Sequence, residues 1–173
     1  MTCGTSSIKE KSVGETGNRL YFAYGSNMDE KQMRHRCPDG ATVGTARLPG
    51  YRFIINSRGV ATVVPDGSSA VHGILWRITA ECEASLDRYE GVEWGTYTKE
   101  TLGVEAEDGQ AIEALVYLAR DSEPGEGSDG YMERIAAAAG RQGLPAAYIE
   151  ELKSWIRGRG TPLSQGGNLC LER

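Results

Sequence analysis

Cysteine is scarce in this chain and is never spaced as metal sites need: the four residues, at positions 3, 37, 82 and 170, form no C-x-x-C unit. That spacing argues against a zinc site and offers no disulfide framework, so the thiols are expected to be reduced. Histidine is scarcer still, with only His35 and His72. His35 lies close to Cys37, but two side chains do not make a metal site, and surface-helix residues are the simpler reading. Long apolar runs are missing as well. Segments such as Ala111–Ala119 are too short and too interrupted to span a bilayer, and residues 1–19 contain no apolar h-region. Neither membrane insertion nor secretion is indicated, and a cytoplasmic location is expected. There is no block of lysines or arginines, and the formal net charge is −5, so the electrostatic footprint of a nucleic-acid binder is absent. The expected partner is a small molecule.

The 173 residues suffice for one domain that buries a core without disulfide or metal support. Its most informative stretch is Tyr21-Phe22-Ala23-Tyr24-Gly25-Ser26-Asn27-Met28, an apolar strand that breaks at Gly25 and runs into a helix start. Glycine takes backbone angles closed to other residues, so a sharp turn here would aim successive N–H groups into one concavity. A helix N-terminus adds unpaired donors and partial positive charge. Ser26 with Asp29, and Asn27 with Glu30, satisfy a cap-then-acid spacing that predicts a helix beginning near Met28. Such a place receives an oxyanion, a carboxylate or a phosphate.

Polar residues 1–18 read as a disordered leader, and 158–173 as an irregular, glycine-rich tail, leaving one domain over 19–157. Strands are expected at 20–24, 41–48, 51–56, 60–64, 71–78, 97–105 and 110–119, punctuated by Pro49-Gly50, Arg58-Gly59, residues 65–69 and Asp108-Gly109. Short, evenly spaced strands suggest a curled sheet or barrel. Helices are expected from about Met28 to Arg36, from a Thr79 cap to Tyr89, and over 131–142 and 145–157. Tyr148, Leu152, Trp155 and Ile156 form an apolar stripe on the last of these.

Glu90 stands apart from the other acids. Cys82, Leu86 and Glu90 recur at four-residue intervals, which sets the carboxylate at the edge of the apolar stripe of its helix. It is also next to Gly91 at the helix C-terminus, where the dipole opposes negative charge. Both effects raise a carboxyl pKa, the condition for a general acid/base near neutral pH. The other reading is a helix-terminal glutamate turned into solvent.

These segments together resemble the γ-glutamylcyclotransferases. The resemblance rests on residues 21–27, on Val71-His72-Gly73-Ile74-Leu75-Trp76, and on Ser85-Leu86-Asp87-Arg88-Tyr89-Glu90-Gly91-Val92 with Tyr97 behind it. It continues at Tyr131 and at Gly143-Leu144-Pro145 with Tyr148. It implies an α+β fold, a small mixed and mostly antiparallel β-barrel flanked by helices. It also implies that the loop Tyr21, Phe22, Ala23, Tyr24, Gly25, Ser26 and Asn27 holds a γ-glutamyl group, that Glu90 is the acid/base, and that Tyr131 touches substrate. Tyr24, Tyr97 and Tyr131 are the aromatics expected in the pocket walls. The reaction so implied is attack of the α-amine of a γ-glutamyl amino acid or amine on its own side-chain carbonyl, which releases 5-oxoproline without cofactor or metal. The loop could hold the carbonyl oxygen or the α-carboxylate, and a homodimer is left open.

Other signals carry less. Gly125-x-Gly127-x-x-Gly130 mimics a dinucleotide fingerprint, but Glu123, Glu126 and Asp129 would repel a pyrophosphate and no strand follows to complete the unit. Ser26 lacks a nucleophile elbow, and His72 in an apolar strand reads as structural. The reading opposed to an enzyme is a catalytically silent small-molecule-binding module of the same fold. A buried Glu90 speaks against it, because an idle protein would have no use for so costly a carboxylate.

Overall fold

Alternating apolar and polar residues build five strands, which the computed structural model, describing residues 18–156, closes into a barrel. They are β1 (Arg19–Ala23), β2 (Ala41–Ile55), β3 (Ala61–Ile78), β4 (Tyr97–Ala106) and β5 (Ala111–Ala119), in the spatial order β1-β3-β2-β4-β5. Neighbours are antiparallel except at the closure, where Tyr21 of β1 pairs in parallel with Leu115 of β5. The sheet is thus mixed and mostly antiparallel, as expected. Four helices flank it: α1 (Glu30–Arg36), α2 (Ala80–Glu90), α3 (Tyr131–Arg141) and α4 (Ala146–Ser154). The expected leader, except Asn18, and the expected tail lie outside the described residues.

One correction concerns strand number. The four strands expected between residues 41 and 78 are two long, irregular ones. Pro49 and Gly50 do not turn the chain back; Pro49 still pairs with Ala70 and Tyr51 with Pro65, so Gly50 faces residues 66–69 across a wide bulge. The turn chemistry seen in the sequence is real but local. Asp66 accepts hydrogen bonds from the Ser68 N–H at 3.1 Å and the Ser68 hydroxyl at 2.9 Å, which kinks the strand without ending it. At Arg58-Gly59 the chain does reverse: Asn56 Oδ1 accepts from the N–H groups of Arg58 (3.1 Å) and Val60 (3.2 Å).

The core runs through the barrel and under the helices. Phe22, Ile74, Leu75 and Leu115 are buried, and α3 adds Met132, Ile135, Ala136, Ala138 and Ala139. The α4 stripe packs as its periodicity predicts, with Tyr148 against His72 at 4.9 Å between ring centroids and Trp155 edge-on to Phe53. His72 is therefore a wall residue. Gly125 touches the same scaffold: a Cβ there would fall 2.3 Å from the Asn56 carbonyl oxygen, so that glycine serves close backbone packing.

Gly73 sets the distance between β1 and β3. An added Cβ would lie 2.3 Å from the Ala23 carbonyl oxygen and 2.8 Å from the Phe22 ring. The obstacle is backbone, so β1 would have to shift just before the Tyr24-Gly25 turn. Gly73→Ala is expected to destabilise the protein by about 3 kcal/mol in urea unfolding. Gly103→Ala, where a Cβ meets nothing within 4 Å, should change stability by less than about 0.5 kcal/mol.

Candidate active site

After Ala23 the chain leaves β1 and turns at Gly25 into a single 3₁₀ turn, Ser26–Met28, closed by Met28 N–H to Gly25 C=O (3.0 Å) and Asp29 N–H to Ser26 C=O (3.1 Å). Gly25 has φ −115° and ψ −138°, a combination outside the helical and extended ranges. A Cβ at this position would meet Ala61 Cβ at 3.4 Å, an ordinary contact. Capping differs from expectation. Asp29, not Ser26 or Asn27, caps α1, accepting from the Gln32 N–H at 2.9 Å. The two expected caps are drawn into a side-chain network instead.

Asn27 is the centre of that network and is 3 % exposed. Its Nδ2 donates to Tyr21 Oη at 2.9 Å and to Glu90 Oε1 at 3.0 Å. Its Oδ1 accepts from Gln32 Nε2 at 3.0 Å and from an Arg36 guanidinium nitrogen at 2.9 Å. Gln32 Nε2 also reaches Ser26 Oγ at 2.8 Å. Asp29, Gln32 and Arg36, spaced i, i+3, i+7, share one face of α1.

Glu90 ends α2. Gly91 follows at φ 64° and hands its N–H to Arg88 C=O, while the Val92 N–H reaches Asp87 C=O at 3.0 Å, a closure that turns the chain off sharply. The Glu90 side chain points inward and is 16 % exposed. Burial raises its pKa above the usual carboxylate value, and the Arg36 guanidinium, 3.9 Å away, and the Asn27 amide offset only part of that. The inward geometry replaces the alternative of a solvated helix end.

Glu90 lines a small pocket of about 40 Å³ together with Tyr21, Tyr24, Gly25, Ser26, Asn27, Ala61, Tyr97, Tyr117 and Tyr131. The phenols divide by the direction of their hydrogen bonds. Tyr24 donates to Tyr117 C=O (2.6 Å) and Tyr97 to Ala61 C=O (2.8 Å), so both spend their protons on the barrel wall. Tyr21 and Tyr131 accept instead, from Asn27 Nδ2 and from the Ala61 N–H at 3.2 Å, which leaves their O–H groups to donate to a ligand. Burial pushes all four phenols up, so they stay protonated at neutral pH.

Most of this chain matches proteins of one kind. A mouse protein named gamma-glutamylcyclotransferase is 31 % identical over 160 residues, covering 86 % of this chain and 85 % of its own length. Its human counterpart of the same name is 32 % identical over 145 residues, with coverages of 78 % and 77 %. The chain belongs to the γ-glutamylcyclotransferase family. Residues 70–152 also match the model of the AIG2-like family. A solved structure described as gamma-glutamyl cyclotransferase superposes with a TM-score of 0.76 at 29 % identity, covering 88 % of this chain and 94 % of that one.

Of the site residues that the family resemblance implied, Tyr21, Tyr24, Gly25, Ser26, Asn27, Glu90, Tyr97 and Tyr131 meet in the cavity. Phe22 and Ala23 do not; they are 0 % and 1 % exposed and serve the core. Sequence reasoning missed Ala61, Tyr117, Gln32 and Arg36. The last two could have been found from the shared α1 face; Ala61 and Tyr117 depend on barrel closure.

Burial of Glu90 has a thermodynamic signature. A carboxyl whose pKa is higher folded than unfolded binds its proton more tightly in the native state, so stability falls as pH rises from the ordinary glutamate value to the raised one. Glu90→Gln removes that loss. The variant should match the wild type in acid and become increasingly the more stable of the two as pH climbs through that window, as read by urea unfolding at successive pH values.

Proposed function

We propose that this protein is a γ-glutamylcyclotransferase that converts γ-glutamyl amino acids, or related γ-glutamyl amines, to 5-oxoproline and the free amino acid or amine. The observation that carries the reading is a buried carboxylate of raised pKa, hydrogen-bonded to Asn27 inside a tyrosine-walled pocket. In this reaction the substrate ammonium gives a proton to the Glu90 carboxylate. The freed amine attacks the γ-carbonyl carbon, closing a five-membered ring; the protonated Glu90 returns the proton to the departing nitrogen as its C–N bond breaks, and the second proton shed by the ring nitrogen, as it becomes the lactam N–H, passes through Glu90 to the released amine. One group serves as base and then as acid, which requires a pKa nearer neutrality than that of a solvated glutamate.

The N–H groups that head the turn at Gly25, Ser26 and Asn27 meet negative charge on the substrate, either its α-carboxylate or the oxygen that becomes anionic on attack. Tyr21 and Tyr131 supply further donors. The enclosing wall holds the glutamyl chain folded so that amine and carbonyl meet, converting binding into proximity. We place the protein in the cytoplasm on its cysteine usage; among the described residues no helix is long and apolar enough to cross a membrane.

The test is 5-oxoproline release, followed by mass spectrometry, from a panel of γ-glutamyl amino acids, γ-glutamyl-lysine and glutathione. Wild-type protein should act on some members. Glu90→Gln should bind the same substrates in calorimetry but lose turnover by roughly a thousandfold. Binding without turnover by the wild type would support the silent module instead, and full activity of Glu90→Gln would remove Glu90 from the mechanism.

A further inference from the structure

The sequence reading gave Arg36 no role beyond ending a helix, yet its guanidinium is held from two sides. It stacks on the Tyr89 ring, 4.5 Å from the centroid, and donates to Asn27 Oδ1 at 2.9 Å. Gln32 Nε2 donates to the same oxygen at 3.0 Å. With two donors on Oδ1, the amide has one acceptable orientation: Nδ2 must face Tyr21 and Glu90. A flipped amide would set its oxygen against the Glu90 carboxylate and its NH₂ against two donors.

We propose that Arg36 is a positioning residue for the cyclisation: it fixes the Asn27 amide in the orientation that donates to Glu90 and, from 3.9 Å, keeps Glu90 ionised in the free enzyme. This rests on the function proposed above. The substrate amine arrives as an ammonium, and only an ionised Glu90 can accept its proton.

The neighbourhood leaves this task to Arg36. From β1, Tyr21 faces Glu90, with Tyr24 just beyond the strand; Tyr97 of β4 and Tyr131 of α3 face it as well, and all four phenols are neutral. The turn contributes the uncharged Asn27. On α2 itself, Asp87 is engaged by Tyr117 at 2.7 Å and Lys99 at 2.8 Å. Among the described residues Arg36 is the cation within ion-pairing distance of Glu90. Removing it has two effects of the same sign, since the loss of a positive charge and the release of the amide both raise the proton affinity of Glu90.

The test uses Arg36→Met, whose straight side chain keeps apolar contact with Tyr89, and Arg36→Lys, which keeps the charge. In Arg36→Met the acidic limb of the kcat/KM profile should move up by about one pH unit. The loss of activity should be greatest in acid and shrink as pH rises. The carboxyl ¹³C titration of Glu90, followed without substrate, should move with it, and Arg36→Lys should return both toward wild type. A merely structural role would lower activity at every pH and leave the titration in place. Should Arg36→Met fail to fold, Tyr89→Leu, which removes the ring beneath the guanidinium, should shift the titration in the same direction by less. An unmoved Glu90 titration in an active, folded variant overturns the positioning role alone. A wild type that releases no 5-oxoproline overturns the reaction and this role with it.

Discussion

A single buried amide ties the site together. Asn27 joins the end of β1 through Tyr21, the face of α1 through Gln32 and Arg36, and the end of α2 through Glu90, using both hydrogens and both lone pairs. A buried polar group of this kind is favourable only when every partner is present, because each missing one leaves an unsatisfied donor or acceptor away from water. The requirement explains a local oddity. Asn27 and Ser26 have the chemistry of helix caps, yet α1 begins only at Glu30 with Asp29 as its cap, because their side chains are committed elsewhere.

Around that amide the protein holds a carboxylate in surroundings that disfavour its charge. Burial raises the proton affinity of Glu90, and Arg36 with Asn27 draws it part of the way back. The balance matters more than either side. In the proposed cyclisation a fully solvated carboxylate would be too weak a base to take a proton from an ammonium, whereas one left wholly uncompensated would start out protonated. The stack of Arg36 on the half-exposed Tyr89 keeps the compensating charge near the surface, where its own solvation is only partly lost.

Much of this was legible before any coordinates. Local signals were read correctly where local chemistry decides: the Thr79 cap, the helix end at Gly91, the Asp108-Gly109 hairpin and the α4 stripe are all present. They were misread where a tertiary partner overrides the local rule. Pro49-Gly50 and residues 65–69 look like turns, but the pairing of β2 with β3 carries both strands past them as bulges. Gly25, by contrast, keeps the unusual backbone angles that the sequence suggested, with φ −115° and ψ −138°. Phe22 and Ala23 sit inside the family motif, yet they serve the core beneath the loop, a distinction that sequence order does not carry.

The closing pair of the barrel, Tyr21 with Leu115, also dictates when the site can exist. Its hydrogen bonds span 63 residues from Asn27 to Glu90 and 93 from Tyr24 to Tyr117, so no partial chain contains a working subset. Contacts this distant in sequence bear the entropy of loop closure before they return any stability, and such topologies fold slowly. During synthesis the first strand must wait, with its apolar Tyr-Phe-Ala run unpaired with β5, until that strand has emerged to close the ring. The pocket and the completed fold therefore arrive in the same step, and a half-made chain presents no tyrosine-walled pocket around Glu90.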